Sequence, residues 1–356
     1  MMIHIYILIM TKEIISSYKG FNKDLKCRDF QYEVGKGYEQ FGRIKCCENG
    51  FHACKFPTDV FNYYPPINGA RYCTVIQSGD LDSNTMSSDS KITSSKIYIE
   101  SEISTEQLIE AGINNILKDA SKYIKDATYR NCCSESRNST IINNNYAGAA
   151  VNMGSYSAAI NNKANSVIAS TNKHSAVVNK GSESIAGTTE NNSIINNTKE
   201  GDSSICGSTG SNSIIISTAD ESIIASTGWY SYIINNGFNS TAVGSGTNTC
   251  VKTTNIYSTA VSTNYHSHTE AEDFSVAIST GKYSTARVTK GNSIAIVTNE
   301  YSWAAGALND WIVLTEYNMC GVIKEVKAFK VDGEKIKADT FYKLKDGEAV
   351  EVDLKF

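Results

Sequence analysis

From Ser139 to Asp310 the chain repeats a nine-residue pattern of polar and apolar positions. Serine recurs at Ser139, Ser157, Ser166, Ser175, Ser184 and Ser193, with Gly148 filling one step. After two extra residues near Glu200 the step resumes through Ser204, Ser213, Ser222, Ser231, Ser240, Thr249, Ser258 and Ser267. One residue is then lost, and Ser275, Ser284, Ser293 and Ser302 complete 19 repeats, 17 of them opened by serine. Self-similarity at a short fixed period marks a solenoid, in which each unit buries its apolar side against its neighbours.

The third position of the repeat, from Ile141, Ala150 and Ala159 to Ala286, Ala295 and Ala304, never holds a charge. Positions two and four are often apolar but admit Tyr232, His268, Trp303, Lys252, Glu270 and Arg287. Strand side chains alternate faces, so position three points inward and its neighbours outward. Threonine at position six in 11 repeats, and Gly, Asn, Lys and Tyr at seven to nine, follow a strand of five or six residues as turns. Nine residues are too few to close a coil, so two repeats make one. Nine or ten coils at about 4.8 Å give a rod of roughly 45 Å.

Denser segments flank the repeats. Residues 17–103 read as an α+β domain: strands around Phe30–Val34, Ile44–Cys47, Arg71–Ile76 and Lys96–Ile99, and a short helix over Asp59–Tyr64 ahead of Pro65–Pro66. Ser104 with Gln107 makes a capping box, opening a helix whose face carries Leu108, Ile109, Ile113, Ile116, Leu117, Ala120 and Ile124. Residues 104–130 are therefore expected as a helical linker or solenoid cap. Residues 311–356 alternate around Val331–Asp332–Gly333 and Lys345–Asp346–Gly347, the signals of a small antiparallel β cap. The expected fold class is mainly β: a nonapeptide-repeat β-solenoid over 139–310 between an α+β domain and a C-terminal sheet.

Composition narrows the function classes. With 33 basic and 37 acidic residues the net charge is −4, which argues against nucleic acid as a partner. No apolar run reaches the roughly 18 residues of a membrane span. Met1–Met10 is apolar but lacks a basic start and a small-residue cleavage site, so residues 1–16 read as a leader without structural weight. Adjacent pairs Cys46–Cys47 and Cys132–Cys133 do not resemble a secreted disulfide framework, which points to a cytoplasmic setting. The turns lack the Asp-bearing glycine motif of calcium β-rolls. His52 with Cys27, Cys46, Cys47, Cys54 and Cys73 contains no C-x-x-C pair, so no zinc site is expected. The serine and threonine columns read as internal hydrogen-bond ladders rather than a binding surface for ice or glycan.

Tyr18–Cys27, Gln31–Lys36, Cys47–Cys54 and Phe329–Lys337 resemble an uncharacterised family carried by phages and prophages, in which an N-terminal domain of unknown function precedes serine-alanine repeats. The resemblance implies a protein of a bacterial host's cytoplasm or of the virion, and no established activity. The repeats also resemble head repeats of trimeric adhesins, which supports the coil geometry. Tyr18, Lys19 and Gly20, then Phe51 and His52, Tyr63 and Tyr64, and finally Glu100 and Glu102 resemble an ADP-ribosyltransferase arrangement. That would make the first seven ligand-binding and His52, Glu100 and Glu102 catalytic candidates, with NAD as cofactor. Lys19 stands where such folds carry arginine or histidine.

Two classes follow. The favoured one is a non-enzymatic binding or structural protein, without cofactor, whose solenoid spaces or assembles its end domains for a protein or small-molecule partner. The alternative is an NAD- or nucleotide-binding effector in phage–host conflict. Outward positions carry Ile142, Ile160, Ile194, Ile214, Ile216 and Ile234, an apolar density expected to form a homo-oligomer interface, the alternative being that the helix from Thr105 or the N-terminal domain folded back covers it within one chain.

Overall fold

The structure, a computed structural model, describes residues 13–64, 69–83, 89–120, 123–127, 131–198 and 202–354. The chain divides into two compact units, residues 1–115 and 116–356. Most of the expected leader lies outside the described residues; its end, from Ile15, already belongs to the first strand.

In the first unit, β1 (Ile15–Phe21), β2 (Lys26–Cys27), β3 (Phe30–Gln31), β4 (Gly37–Glu39), β5 (Phe51–Cys54), β6 (Arg71–Ser83) and β7 (Lys91–Ile103) follow in order. β1 pairs antiparallel with both β5 and β6, and β7 pairs with both of these, so the four strands close into a small barrel. Closure satisfies the strand edges that an open sheet would expose. Alternation sends Phe21, Phe51, Val75, Ile97 and Ile99 into the core. The unit is more β-rich than an α+β reading implies: the expected helix at Asp59–Tyr64 is a 3-10 segment, Pro57–Asn62, opened by proline.

The capping box forms as expected. Ser104 N–H donates to Gln107 Oε1 at 2.8 Å, and Gln107 N–H donates to Ser104 Oγ at 3.2 Å. Helix α1 (Thr105–Ala120) buries Leu108, Ile109, Ile113 and Ile116. It stops short of Ile124. Tyr123–Ala127 is strand β8, parallel to β10 (Ser139–Asn143), so the 104–130 segment is not helical throughout and the ladder starts before Ser139. Ile124 fits the next helical turn and a strand equally well; pairing with β10 decides.

In the second unit nineteen strands among the described residues run from β10 to β28 (Trp303–Ala305), one per repeat. Each as far as β27 (Ile294–Val297) pairs in parallel with the strand two places on, giving one even-numbered and one odd-numbered sheet across the repeats and two repeats per coil. Regular pairing is Ile142 with Ile160. Across the insertion Ile185 pairs with Ile205, and across the lost residue Thr259 pairs with Val276, so both irregularities fall between strands and leave the strands in register.

Most strands are four residues long, shorter than expected. Position three forms the core, with Ile141, Ile168, Ile195, Ile215, Ile224 and Ile233 fully buried. Positions one and five also point inward, and apart from Ser213 Oγ and Thr253 Oγ1, which are buried without a partner, most of their polar groups are spent on the stack. The N–H of Ser222 donates to Ser240 Oγ, that of Ser240 to Ser258 Oγ, and that of Ser258 to Ser275 Oγ. Asn143, Asn161, Asn179 and Asn197 form an amide ladder at 2.8–2.9 Å. Serine recurs because in many coils its hydroxyl accepts the N–H that the preceding coil would otherwise bury unpaired.

Each turn places the residue before the serine in the left-handed region, for example Asn165 at φ 57° and Tyr230 at φ 54°. At Gly154, Gly181 and Gly237 a Cβ would lie 1.8–1.9 Å from a carbonyl oxygen one coil back, so only glycine fits that close approach. At the C-terminal end β29 (Trp311–Tyr317) and β30 (Ile323–Lys330) extend the odd sheet as a hairpin. β31 (Phe341–Lys345) and β32 (Glu348–Val352) extend the even one antiparallel to β28. Val331, Ile336, Tyr342 and Leu344 continue the core.

Candidate functional site

The first candidate site is the barrel interior around Lys19. Ser17, Lys19 and Phe21 share the inward face of β1, and all three are buried. Lys19 Nζ donates to the His52 carbonyl at 2.8 Å and reaches Cys27 Sγ at 3.6 Å. It lies 5.5 Å from the Phe21 ring centre and 5.3 Å from that of Tyr32. Burial holds this amine below the ordinary lysine range, which the neighbouring Cys27 thiol only partly offsets. Tyr64 closes the cluster against Cys27, and burial raises its phenol. Gly20 makes room for it: a Cβ there would sit 2.6 Å from Tyr64 Cβ.

Beside this cluster Gln77, fully buried, ties the barrel together. Its amide donates to the Phe51 carbonyl at 2.9 Å and to Ser94 Oγ at 3.1 Å, and its oxygen accepts from Ser17 at 2.7 Å. Such a network fixes strand register as long as every member is satisfied. Gln77 does not stand out as a site residue in the sequence, and Cys27 figures there only among the cysteines weighed for zinc. The inward parity of Ser17, Lys19 and Phe21 is the available signal for an interior lysine.

The imidazole of His52 is occupied structurally. Nε2 accepts the Cys47 N–H at 2.9 Å and the ring also bonds the Gly50 backbone, stapling the turn that holds Cys46 and Cys47. Its pKa falls to about 4, chiefly through burial, with the Lys19 and Lys91 ammonium groups adding to it, so the ring is neutral at pH 7. Gly50 sits at φ 114° with its Cα against Thr93 and Ser94, which accounts for a glycine ahead of Phe51.

The structure brings Lys19, Phe51 and the His52 backbone into one interior, with Tyr64 packed over Gly20 on the other side of β1 and reaching Cys27 at its edge. It does not bring the carboxylates there. His52 pairs with Thr93 on β7, while Glu102 lies nine residues along the same strand, about 30 Å of extended chain. Glu102 is held by Arg71 through bonds of 2.7 and 2.6 Å, which lower its carboxyl below the ordinary glutamate range. Glu100 is exposed, as is Tyr63, which lies under the Lys91 ammonium at 4.6 Å and bonds Asp89. Tyr18 is half-buried on the outward parity of β1.

Residues 15–111 match the family described as Domain of unknown function (DUF7666). The DUF7666 segment takes in the whole barrel and the opening of α1, and the solenoid lies outside it. No curated protein and no solved structure gave a significant match to the chain. Among the described residues no group of three or more His, Cys, Asp or Glu is placed to hold a metal, and no disulfide forms. Among the described residues no helix is long and apolar enough to cross a membrane.

The solenoid offers the second candidate surface, and its two sheets differ. Ile142, Ile160, Ile194, Ile214, Ile216 and Ile234 all lie on the even sheet, pointing outward as their parity requires. Within a single chain, however, Ile194, Ile214, Ile216 and Ile234 are only 1–5 % exposed, and Ile142 and Ile160 are half-buried. These six side chains, expected at a homo-oligomer interface, are therefore largely covered within one chain: alternation sets the direction of a side chain and not whether that side is already covered. On the odd sheet Val167, Ile185, Ile205 and Ile223 are 44–50 % exposed.

Proposed function

We propose that the chain is a non-enzymatic scaffold in which a rigid β-solenoid carries and assembles the DUF7666 barrel and the C-terminal hairpins. The observation that carries this reading is that most of the solenoid's inward polar side chains are consumed by its own ladders, as in the asparagine series from Asn143 to Asn197. In the barrel, His52, Lys19 and Glu102 are each engaged by neighbours, and the two carboxylate candidates lie away from the histidine. The resemblance of Tyr18–Cys27 and Cys47–Cys54 to phage and prophage proteins favours a place in a phage-infected bacterial cytoplasm or in the virion.

The test is an NAD-turnover and nucleotide-binding assay on the purified full chain. The scaffold reading expects no turnover above that of buffer. Turnover lost in both His52→Ala and Glu102→Gln overturns it in favour of an ADP-ribosyltransferase-like effector.

A further inference from the structure

The odd sheet's outer face is the feature that the solenoid's own stability does not explain. Across its ten strands from β11 (Ala149–Asn152) to β29, positions two and four are filled by Ala, Val, Ile, Gly, Thr and Trp, with no charged side chain. The even sheet interrupts the same columns with Lys252, Glu270 and Arg287. A soluble protein does not usually leave so long an uncharged strip of aliphatic side chains facing water.

The strip has relief. The relief is confined to four rungs, where position two raises a ridge at Val167, Ile185, Ile205 and Ile223 beside a trench at position four of Ala169, Gly187, Gly207 and Ala225; from β21 (Thr241–Gly244) to β29 position four is filled by valine or isoleucine. The trench glycines answer no need of the chain's own backbone. A Cβ on Gly187 would meet nothing closer than 3.7 Å and one on Gly207 nothing closer than 3.9 Å, and neither residue has a positive φ. Glycine inside a strand weakens it, so two in adjacent rungs, where larger residues fit, keep space open for something outside. The turn glycines differ, because there a Cβ collides with backbone.

We propose that this face binds a second copy of the chain, with the ridge of each copy seated in the trench of the other. A two-fold axis running along the solenoid, midway between two facing odd sheets, places position two of one copy opposite position four of its partner at the same rung. An axis across the solenoid would set ridge on ridge. The occupant must also match the spacing of about 4.8 Å from rung to rung, which a second copy does by construction. Ten rungs about 4.8 Å apart and four residues of about 3.3 Å each cover roughly 600 Å² per copy, or about 1,200 Å² in total, the lower end of stable specific interfaces. The pair is therefore a parallel homodimer joined through the odd sheets.

This inference deepens the scaffold reading by naming what is assembled, and the two fail separately: a monomer without NAD turnover removes only the dimer, and turnover by a dimer removes only the scaffold reading. The experiment is analytical ultracentrifugation of the full chain at tens of micromolar, with circular dichroism on each variant. Wild type should sediment as a dimer. Ile205→Lys, at a position half exposed in one chain, should shift it to monomer with an unchanged spectrum. Gly207→Leu makes the face more apolar but fills the trench, and should weaken association at least tenfold. A wild-type monomer, a trimer, a dimer kept by both variants, or a tighter dimer in Gly207→Leu would each overturn the proposal. If Ile205→Lys alters the fold, Ile223→Lys takes its place, and Gly207→Leu still decides between seated ridges and undirected stickiness.

Discussion

Substitution at two adjacent residues of β13 (Val167–Ser170) tests the inward and outward assignment on which the solenoid rests. Ile168 is fully buried, stacked in register between Ala150 and Ala186, whereas Val167 is 44 % exposed. Ile168→Ala removes three carbons, about 2.4 kcal/mol at roughly 0.8 kcal/mol each, and the cavity adds to this. Little relaxation is available, because ladder bonds of 2.9 Å from Val167 N–H to the Gly148 carbonyl and from Ile185 N–H to the Ser166 carbonyl clamp the rungs. The expected loss is about 3–4 kcal/mol, within the usual span for such truncations.

Ile168→Asp should cost more, several kcal/mol for a buried carboxylate without a partner. Burial raises the folded-state pKa of that group, so folding takes up a proton between the unfolded and folded values. The variant's stability relative to Ile168→Ala therefore falls as pH rises through that window. Val167→Asp, at low protein concentration so that self-association does not contribute, should stay within about 0.5 kcal/mol of wild type. Stacked repeats open locally, so the assay is amide hydrogen exchange of peptides covering residues 149–188, supported by thermal melts. Equal loss of protection in Val167→Asp and Ile168→Asp would refute the assignment.

Three further outcomes follow from the contacts. Because the pKa of His52 is depressed to about 4 from 6.5, the barrel's stability from this group is complete above pH 6.5 and is lost as pH falls toward 4. An NMR titration of His52 checks the value, and His52→Gln should flatten that part of the acid-unfolding profile. Asn161→Ala breaks bonds to Lys163, Asn179 and Ser184 and leaves the Asn143 amide short of an acceptor. It should cost about 1–3 kcal/mol, seen as faster exchange in the rungs on either side. Gly20→Ala drives a methyl into Tyr64 and should lower barrel stability by about 1–3 kcal/mol or more, measured by urea unfolding followed through tyrosine fluorescence.

The nine-residue period makes much of the second unit legible from the sequence alone. Position three refuses charge because it faces a core too narrow for anything else, so the strand parity can be read from Ile141 through Ala304. The extra residues near Glu200 and the loss ahead of Ser275 fall between strands, because the serine step survives on either side. The capping box at Ser104 and Gln107 is equally local, since both partners lie within one turn. Such features depend on neighbours in sequence or on a period, and a single chain of letters carries both.

Other features depend on which distant segments meet, and these only the folded chain decides. The barrel closes because β7 pairs with β5 on one edge and β6 on the other, which turns Lys19 from an apparent ligand residue into an interior amine beside Cys27 and the His52 carbonyl. His52 and Glu102 look compatible in sequence, but pairing along β7 holds them apart and gives Glu102 to Arg71. Tyr123–Ala127 leaves the helical pattern because a strand partner 16 residues on is available to it. Alternation along the repeats points Ile214 and Ile223 outward alike, yet one is 4 % and the other 48 % exposed. Periodicity determines direction; whether that direction ends in water is a property of the whole fold.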